Sequence, residues 1–332
     1  MRTAYAPTLP GVTFDELIAR QPTATLDDWR AAAAKQLRGR ALSDIDVELA
    51  GERFEPYAVP GDASPSAGSY RWAVIADARG AHRCHLQQAL EWGAQGLLLT
   101  GGPIERDEVA GVRFDFLETY LLGGDAAFSA VVPDQQRADL RRWATTGAND
   151  LPGGRLLETS PRLVDAGALA DWTREHLVPA VAQTTTSQSL TLRVDLPVDY
   201  LASLVLISAV RLLHANVCVG FAQPEPIAPV RILAYVDARP SGGESVTGES
   251  FLIDAATRTV AAATAGVDAV VVVPYDDSAR QARRALNVQH VLAIEGGFGH
   301  TADALAGAAW VEQAAATIAH AAWDRVRAGR GG

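Results

Sequence analysis

Glu295 is the carboxylate best placed for chemistry in this sequence. It ends the apolar run Val291–Glu295, which predicts a strand, and it is followed by Gly296–Gly299 and His300. A carboxylate at the carboxyl end of a strand, beside a glycine-rich loop and an imidazole, can act as a general acid or base. Glu295 and His300 are therefore candidate catalytic residues, with a structural carboxylate beside a loop as the alternative interpretation.

Two other polar segments follow apolar runs that predict strands. Asp237 and Arg239 come directly after Val230–Val236. Asp276 comes two residues after the end of Ala269–Pro274. Polar groups gather at the carboxyl ends of the strands in a (β/α)₈ barrel, so these residues are expected to form ion pairs across that end of the barrel, either structural or vestigial.

Other motifs are too short to specify a site. His82, Cys84 and His85 lie close together, but no second pair of ligands has metal-site spacing. The segment Gly101–Pro103 is too short to predict phosphate binding. The sequence also contains no G-x-G-x-x-G, P-loop or G-x-S-x-G motif after a predicted strand.

Strand and helix patterns alternate from residue 70 onward. The predicted strands are 71–76, 96–100, 128–132, 191–194, 230–236, 269–274 and 291–295. The predicted helices are 81–92, 114–121, 134–145, 199–213, 250–265, 278–286 and 308–327. This alternation predicts an α/β protein with a (β/α)₈ TIM-type barrel, and a doubly wound open sheet is the alternative.

The amino-terminal segment has a different pattern. A helix is predicted from Leu26 to Gly39, and a hairpin is predicted over Val47–Phe54. The small polar residues Gly61–Ser69 predict a linker. We therefore expect an N-terminal helix-hairpin arm with its linker over residues 1–69 and a barrel domain over residues 70–332.

The composition is that of a globular protein with excess negative charge. The chain has 332 residues, 48% of them hydrophobic and 20% charged, and its formal net charge is −10. Lys35 is the single lysine, and no segment concentrates basic residues, so nucleic-acid and anionic-membrane binding are not expected. Cys84 and Cys218 have no disulfide-like pattern and are expected to be reduced thiols. With no predicted signal peptide or membrane span, a cytoplasmic protein is expected.

Several segments, taken in order, resemble the methylmalonyl-CoA mutase family. Near the amino terminus the resemblance lies in Trp29, Lys35–Gly39, Phe54–Tyr57 and Asp62. The family begins similarly, with a Trp-bearing helix ending in K-x-L-x-G and a strand pair leading to a P-L-Y-T loop. The order and spacing of the segments carry this resemblance.

The carboxyl-terminal half resembles the family in four segments. Leu204–Val217 is similar to the family's i-A-k-l-R-a-a-R-x-L-W helix. Thr257–Asp276 is similar to its R-t-t-x-a-x-A-x-l-G-G stretch and the following strand ending in p-f-D. Asn287–Glu295 is similar to its R-x-a-r-N-t-q-x-i-L-x-E-e motif, and Trp310–Trp323 is similar to the helix that closes its barrel.

The resemblance implies a barrel that encloses an acyl-CoA and is joined, in catalytic chains, to a separate cobalamin domain. This chain is most similar to the small β subunit of the heterodimeric enzymes, in a reduced form. The family's D-x-H-x-x-G, G-T-I-Q-N-D and Y-H-x-x-G-A motifs have no counterpart, and Leu196–Pro197 leads straight to a helix beginning near Asp199. One barrel unit is therefore expected to be shortened, and the cobalamin-binding domain is expected to be lacking.

The resemblance also implies roles for three further residues. Tyr57 and Asp62 match the family loop that reaches over the barrel, where they would contact an acyl-CoA or the partner chain. A packed tyrosine in a turn is the alternative for Tyr57. Asp276 matches the aspartate of p-f-D and is expected to keep a role.

The leading function is therefore a non-catalytic small subunit, a pseudoenzyme, in a heterodimeric acyl-CoA mutase. The complex would be an isomerase, and this chain would not be active alone. Its partner would be the catalytic large subunit, which would hold adenosylcobalamin, and this chain would bind no cofactor or metal. The alternative is a stand-alone barrel enzyme acting on a small acidic or acyl substrate through Glu295 and His300.

Overall fold

A computed structural model describes about two thirds of the chain and divides it into two units. It describes residues 25–49, 51–58, 72–78, 86–100, 107, 109–114, 116–123, 132, 143–145, 154–157, 159–161, 165–184, 189–221, 230–239, 248–298 and 304–329. The first unit comprises residues 1–48 and 53–59, and the second comprises residues 49–52 and 60–332. The predicted boundary after residue 69 lies outside the described residues and stays a prediction.

The amino-terminal segment forms the predicted helix and hairpin. Its elements are α1 (Leu26–Gln36), a 3₁₀ turn (Leu42–Ile45), β1 (Val47–Leu49) and β2 (Glu52–Phe54). The Thr25 hydroxyl accepts a hydrogen bond from the Asp28 amide at 3.1 Å, and the Asp28 carboxylate accepts one from the Thr25 amide at 2.9 Å. This capping box begins α1 at the predicted residue. Gly51, with φ +75°, supplies the left-handed turn between the two strands.

Eight parallel strands close into one barrel, which confirms the predicted fold class. They are β3 (Ala73–Asp77), β4 (Gly96–Thr100), β5 (Glu118–Leu122), β6 (Trp143–Thr145), β7 (Gly154–Leu157), β8 (Leu190–Asp195), β9 (Arg231–Val236) and β10 (Ala269–Val272). Neighbours in the chain pair in order, and β10 closes the ring on β3. Only residues 146–153 join β6 to β7, fewer than the dozen or so of a usual helical crossover. The short connection therefore lies between β6 and β7, whereas the sequence predicted a shortened unit after Asp195. All eight strands are present, and β8 is followed by the helix Tyr200–Gly220.

The helices surround the described barrel strands. They are α2 (Leu86–Glu91), α3 (Ala166–Trp172), α4 (Val178–Gln183), α5 (Tyr200–Gly220), α6 (Gly248–Thr264), α7 (Ala279–His290) and α8 (Ala309–Ala328). A π-helical turn, Thr173–Leu177, joins α3 to α4, and a second, Val291–Glu295, extends α7. Asp199 caps α5 by accepting a hydrogen bond from the Ala202 amide at 2.7 Å, which confirms the predicted helix start.

Three predicted elements are wrong. The helix predicted over 114–121 is wrong, because residues 118–122 form strand β5. The helix predicted over 134–145 is wrong at its end, because residues 143–145 form strand β6. Residues 291–295 continue α7 as a π turn instead of forming a strand. The apolar residues of 291–295 suit a strand, but no Gly, Pro or other turn residue separates them from α7, so the helix continues.

Large apolar side chains fill the middle of the barrel. Strand residues alternate between the axis and the surrounding helices, and the axis-facing set forms one packed cluster. Ile75, Leu98, Tyr120 and Leu156 belong to this cluster and are each at most 2% exposed. The central part of the barrel is therefore a packed core.

A polar network crosses the barrel at the amino ends of the strands. Arg231 Nη2 on β9 donates to Glu118 Oε2 on β5 at 2.8 Å, and these strands lie on opposite sides of the ring. Tyr120 Oη donates to the same carboxylate at 2.8 Å. Asp268 lies 3.9 Å from Arg231 Nε and accepts a hydrogen bond from the Ile232 amide at 2.8 Å. Burial raises the pKa of the Asp268 carboxyl, and burial beside Glu118 raises that of the Tyr120 hydroxyl.

Helix α5 is the most apolar helix of the barrel. The helix is long and apolar enough to cross a membrane, but 67% of its most apolar 18-residue segment is buried inside this fold. Most of that surface is thus already covered by the chain, as in the core helix of a barrel. The expected cytoplasmic location stays a prediction.

Candidate functional site

A polar pocket lies at the carboxyl ends of β7 and β8, the end of the barrel that we call the mouth. Its volume is about 480 Å³. The residues that line it are Thr159, Ser160, Trp172, Glu175, His176, Arg193 and Asp195. Ligand sites of barrel proteins occur at this end of the strands. We therefore treat this pocket as the candidate site.

Arg193 and Asp195 form the most ordered part of the pocket. They are two residues apart on β8 and pair with the axis-facing Leu233 and Tyr235 of β9, so both face the axis. Arg193 Nε donates to Asp195 Oδ1 at 2.7 Å, and Nη2 donates to Oδ2 at 3.1 Å. The guanidinium carbon lies 3.8 Å from the centre of the Tyr235 ring. Two hydrogen bonds and a stacked ring hold this guanidinium in one orientation.

The segment after β7 is fixed to both of its neighbours. The Asp195 amide donates to Ser160 Oγ at 2.6 Å. The indole nitrogen of Trp172, on α3, donates to the Thr159 carbonyl at 2.7 Å. The two hydroxyl-bearing residues of the pocket therefore have their positions set by backbone and indole hydrogen bonds.

The π turn at 173–177 supplies the remaining side chains of the pocket. A π turn contains an extra residue, which changes the direction of the following side chains, and such turns recur at functional sites. Glu175 and His176 lie here, with 3.9 Å between His176 Nε2 and Glu175 Oε2. Their side chains are 66% and 37% exposed, so both are open to solvent. Together with Arg193, they offer a carboxylate, an imidazole and a guanidinium to a small polar molecule.

Arg258 fastens the strand ends that border the mouth. It projects from α6, and its Nη1 donates to the Leu196 carbonyl at 3.1 Å and to the Asp237 carbonyl at 3.0 Å. Two further bonds to Asp254, at 2.9 and 2.6 Å, balance its charge. The residues after β8 and β9 are thereby held to one helix.

The ion pair seen at the end of β9 is local, whereas the sequence predicted ion pairs across the mouth. Arg239 Nε and Nη2 donate to the two oxygens of Asp237 at 2.8 and 2.6 Å. The pair is local, and the side chains of Arg239 and Asp237 are 47% and 35% exposed. Asp276 follows β10 and accepts a hydrogen bond from the Ser278 amide at 2.9 Å in the turn before α7. The structure gives Asp276 a place in a turn, and its expected functional role stays a prediction.

Glu295 does not occupy the position that the sequence predicts. It is exposed at the end of the π turn after α7, so it lies at the end of a helix and not of a barrel strand. The prediction that Glu295 ends a strand is therefore wrong, because α7 continues through residues 291–295 as a π turn. His300, its proposed partner, lies outside the described residues.

The other predicted site residues are divided between the described and undescribed parts of the chain. Tyr57 stacks on Trp29 with ring centroids 5.2 Å apart, in keeping with a packed tyrosine. Asp62, the His82–His85 segment and Gly101–Pro103 lie outside the described residues. Any contact of Tyr57 with an acyl-CoA or a partner stays a prediction.

No group of three metal-ligating side chains occurs among the residues that the structure describes. Cys218 and His214 are buried together on α5, with 3.5 Å between Sγ and Nε2. Burial lowers the pKa of His214 to about 4 and raises that of Cys218. A neutral imidazole beside a protonated thiol in an apolar helix is a packing contact.

Sequence reasoning did not find the pocket. Residues 154–183 carried no predicted element, so Ser160, Trp172 and His176 were not singled out. The available signal was the R-x-D spacing of Arg193 and Asp195 on a predicted strand, because period two puts both side chains on one face.

The carboxyl-terminal part of the chain matches a known family. Residues 233–329 match the family model of methylmalonyl-CoA mutase. This segment runs from β9 through α8, and it agrees with the resemblance expected from Thr257–Asp276 and the segments after it. No curated protein matches the chain.

The solved structures that this chain is similar to have low sequence identity to it. Dihydropteroate synthase of Yersinia pestis is 14% identical, covers 76% of this chain and 100% of its own, and has a TM-score of 0.39. Dihydropteroate synthase of Xanthomonas albilineans, in complex with 7,8-dihydropteroate, is 16% identical, covers 75% and 98%, and has a TM-score of 0.38. No conclusion about function follows from similarity at this level.

Proposed function

We propose that this chain is the small, non-catalytic subunit of a heteromeric, adenosylcobalamin-dependent methylmalonyl-CoA or related acyl-CoA mutase. Its role would be to bind and stabilise the catalytic large subunit in the cytoplasm. The observation that carries the proposal is the match of residues 233–329 to the mutase family. The complex would be an isomerase, and this chain would have no mutase activity alone.

The packed barrel axis supports the non-catalytic part of the proposal. The family resemblance implies a barrel that encloses an acyl-CoA, which needs space along the axis. In this chain Ile75, Leu98, Tyr120 and Leu156 meet there and are each at most 2% exposed. The Arg231–Glu118 pair also crosses the axis at the amino end. These side chains occupy the volume that an enclosed acyl chain would need.

Cofactor and substrate would belong to the partner subunit. Adenosylcobalamin would supply there the radical that rearranges the acyl-CoA. This chain would contribute an interface, and permanent complexes of this kind bury 2,000 Å² or more in total.

Affinity purification of the tagged full chain from its native cells, followed by mass spectrometry, tests the proposal. The expected result is stoichiometric recovery of a cobalamin-dependent mutase large subunit that co-elutes with this chain in size-exclusion chromatography. A chain that elutes as a monomer and fails to bind the purified large subunit would overturn the proposal.

The mouth pocket favours a second candidate, a stand-alone barrel enzyme acting on a small acidic or acyl substrate. The supporting observation is the 480 Å³ space beside Arg193 and His176. Glu295 lies at the end of a helix and not of a strand, so His176 is the first residue to mutate in a test of this candidate. This candidate predicts substrate turnover by the isolated chain and loss of that turnover in His176→Ala. Isolated chain that converts no hydroxy, keto or acyl-thioester substrate would overturn it.

A further inference from the structure

One exposed face of α7 continues into the π turn that follows it. Its residues are Arg280, Arg283, Asn287, Val291 and Ile294, spaced at helical intervals, and each of them is exposed. The opposite side of α7 packs on the barrel, where Gln289 Nε2 donates to the Ile75 carbonyl at 3.3 Å. We call the exposed residues the α7 face. The helix that carries them is fixed to the core, so the face is pre-organised.

The amino-terminal half of the α7 face is basic in an acidic protein. The chain has a net charge of −10, yet residues 278–294 contain three arginines and no Asp or Glu, with the nearest carboxylates in sequence, Asp277 and Glu295, directly outside this segment. Within the described part of the chain Arg280, Arg283 and Arg284 form no ion pair, although Arg283 lies over the ring of Trp92 at 5.8 Å. Arg280 is the second residue of α7, where the helix dipole disfavours a cation. Helix stability therefore does not explain this arginine.

The carboxyl-terminal half of the α7 face is apolar. Ile294 is 75% exposed, more than any other large apolar side chain among the described residues, and Val291 is 49% exposed. A single exposed apolar residue is ordinary, but these two extend a stripe that begins with arginines, which form no ion pair among the described residues. An apolar patch that borders arginines on one side is complementary to a partner surface with apolar residues and carboxylates.

We propose that the α7 face is the surface that docks the catalytic large subunit, through an apolar patch bordered by Asp and Glu on that subunit. This inference rests on the proposed function. The local positive charge on an otherwise acidic chain selects an acidic protein surface, because the remaining surface repels such a partner. Val291 and Ile294 become buried in the complex, and Arg280 and Arg283 pair with the bordering carboxylates.

The test is the dissociation constant of the purified large subunit for variants of the full chain, measured by biolayer interferometry. The double variant Arg280→Glu/Arg283→Glu and the single variant Ile294→Glu change opposite halves of the face. Each is expected to raise the dissociation constant about tenfold or more, because each leaves like charges or a carboxylate in the buried patch. Raised salt is expected to weaken binding of the wild type and to affect the double variant less.

Matched controls separate a surface effect from a general one. Arg327→Glu on α8 changes an exposed arginine elsewhere, and Val219→Glu changes an apolar side chain that is 70% exposed at the end of α5. Both are expected to bind within about threefold of wild type. All five changed residues are exposed, so the melting temperatures of the variants should stay close to that of the wild type.

The outcomes distinguish the two proposals. If the wild type binds the large subunit and the α7-face variants bind equally well, the docking face is wrong and the proposed function stands. If the wild type does not bind the large subunit at all, both are wrong. If the α7-face variants abolish only self-association of this chain, the occupant is a second copy, and the assignment to the large subunit is overturned.

Discussion

Both ends of the barrel contain arginine–carboxylate ion pairs, but the partners are far apart in sequence at one end and close together at the other. At the amino end, Arg231 and Glu118 are 113 residues apart in sequence and join strands on opposite sides of the ring. At the mouth, Arg193 with Asp195 and Arg239 with Asp237 are each two residues apart. The first pair exists only in the folded barrel, whereas the mouth pairs are local.

This difference separates stability from binding. A long-range pair closes the amino end and contributes to the fold, as conserved features at the amino ends of barrel strands generally do. Local pairs at the mouth cost little to form and leave the Arg193 pocket open. Removing an arginine from the pair at the amino end is therefore expected to reduce stability more than removing one from a pair at the mouth.

Removing Arg231 is the largest expected effect. Arg231→Met leaves Glu118 partly buried without its cation and removes one of the cations near Asp268, so we expect the free energy of unfolding to fall by about 3–4 kcal/mol. Urea denaturation measures this value. An unfolding free energy within about 0.5 kcal/mol of wild type would show that the cross-barrel pair contributes nothing.

His214 extends the comparison to the pH dependence of stability. It lies on α5, which begins at the mouth and runs back toward the amino ends of the strands. Burial lowers the pKa of His214 from 6.5 to about 4 in the folded protein. Between these values the unfolded chain binds the extra proton, so stability is fully present above pH 6.5 and is lost as the pH falls toward 4. At about 1.4 kcal/mol for each pH unit between the two pKa values, the free energy of unfolding falls by roughly 3 kcal/mol.

Urea denaturation at several pH values measures the contribution of His214. His214→Leu removes the titrating ring and should flatten the stability profile over this range. His320→Gln, which changes an exposed histidine on α8, should keep the wild-type profile. The assignment fails if His214→Leu shows the same pH dependence as the wild type.

Arg258 tests whether the mouth has its own structural support. Arg258→Met leaves the Leu196 and Asp237 carbonyls and the Asp254 carboxylate without their donor, which should cost about 2 kcal/mol. Arg258→Lys keeps the charge but not the planar fork, so it should recover only part of the loss. Equal stability of both variants and the wild type would contradict this anchoring role.

Arg239→Met gives the smallest expected effect and is the matched control for Arg231→Met. Its ion pair with Asp237 is local and exposed, so its loss should change the free energy of unfolding by less than about 1 kcal/mol. If the two methionine variants lose equal stability, the contrast between the two ends of the barrel is wrong.

The carboxyl-terminal half of the fold could be predicted from the sequence. Strand β10 is a continuous apolar run, β9 is apolar after Arg231, and β8 alternates apolar and polar residues. The helices after them are long, so period and length identify both kinds of element. The strands of the other half are harder to recognise. Strand β6 has three residues, and β5 contains a charged axis-facing residue, Glu118, whose partner Arg231 lies on the opposite strand.

The candidate site was less predictable than the fold. A pairing across 113 residues, such as Glu118 with Arg231, leaves no local pattern. The π turn that brings His176 to the pocket also has no local sequence rule. Glu295 was misplaced because residues 291–295 have strand composition, whereas the absence of a turn residue before Val291 extends the helix. The R-x-D pattern at Arg193 was the readable local signal.

Titration of the purified large subunit with this chain, while mutase activity is followed, tests the central claim most directly. The account predicts no activity from this chain alone and a saturable rise in the activity or stability of the large subunit, complete at a fixed stoichiometric ratio. Activity and melting temperature of the large subunit that stay unchanged at every ratio would contradict it.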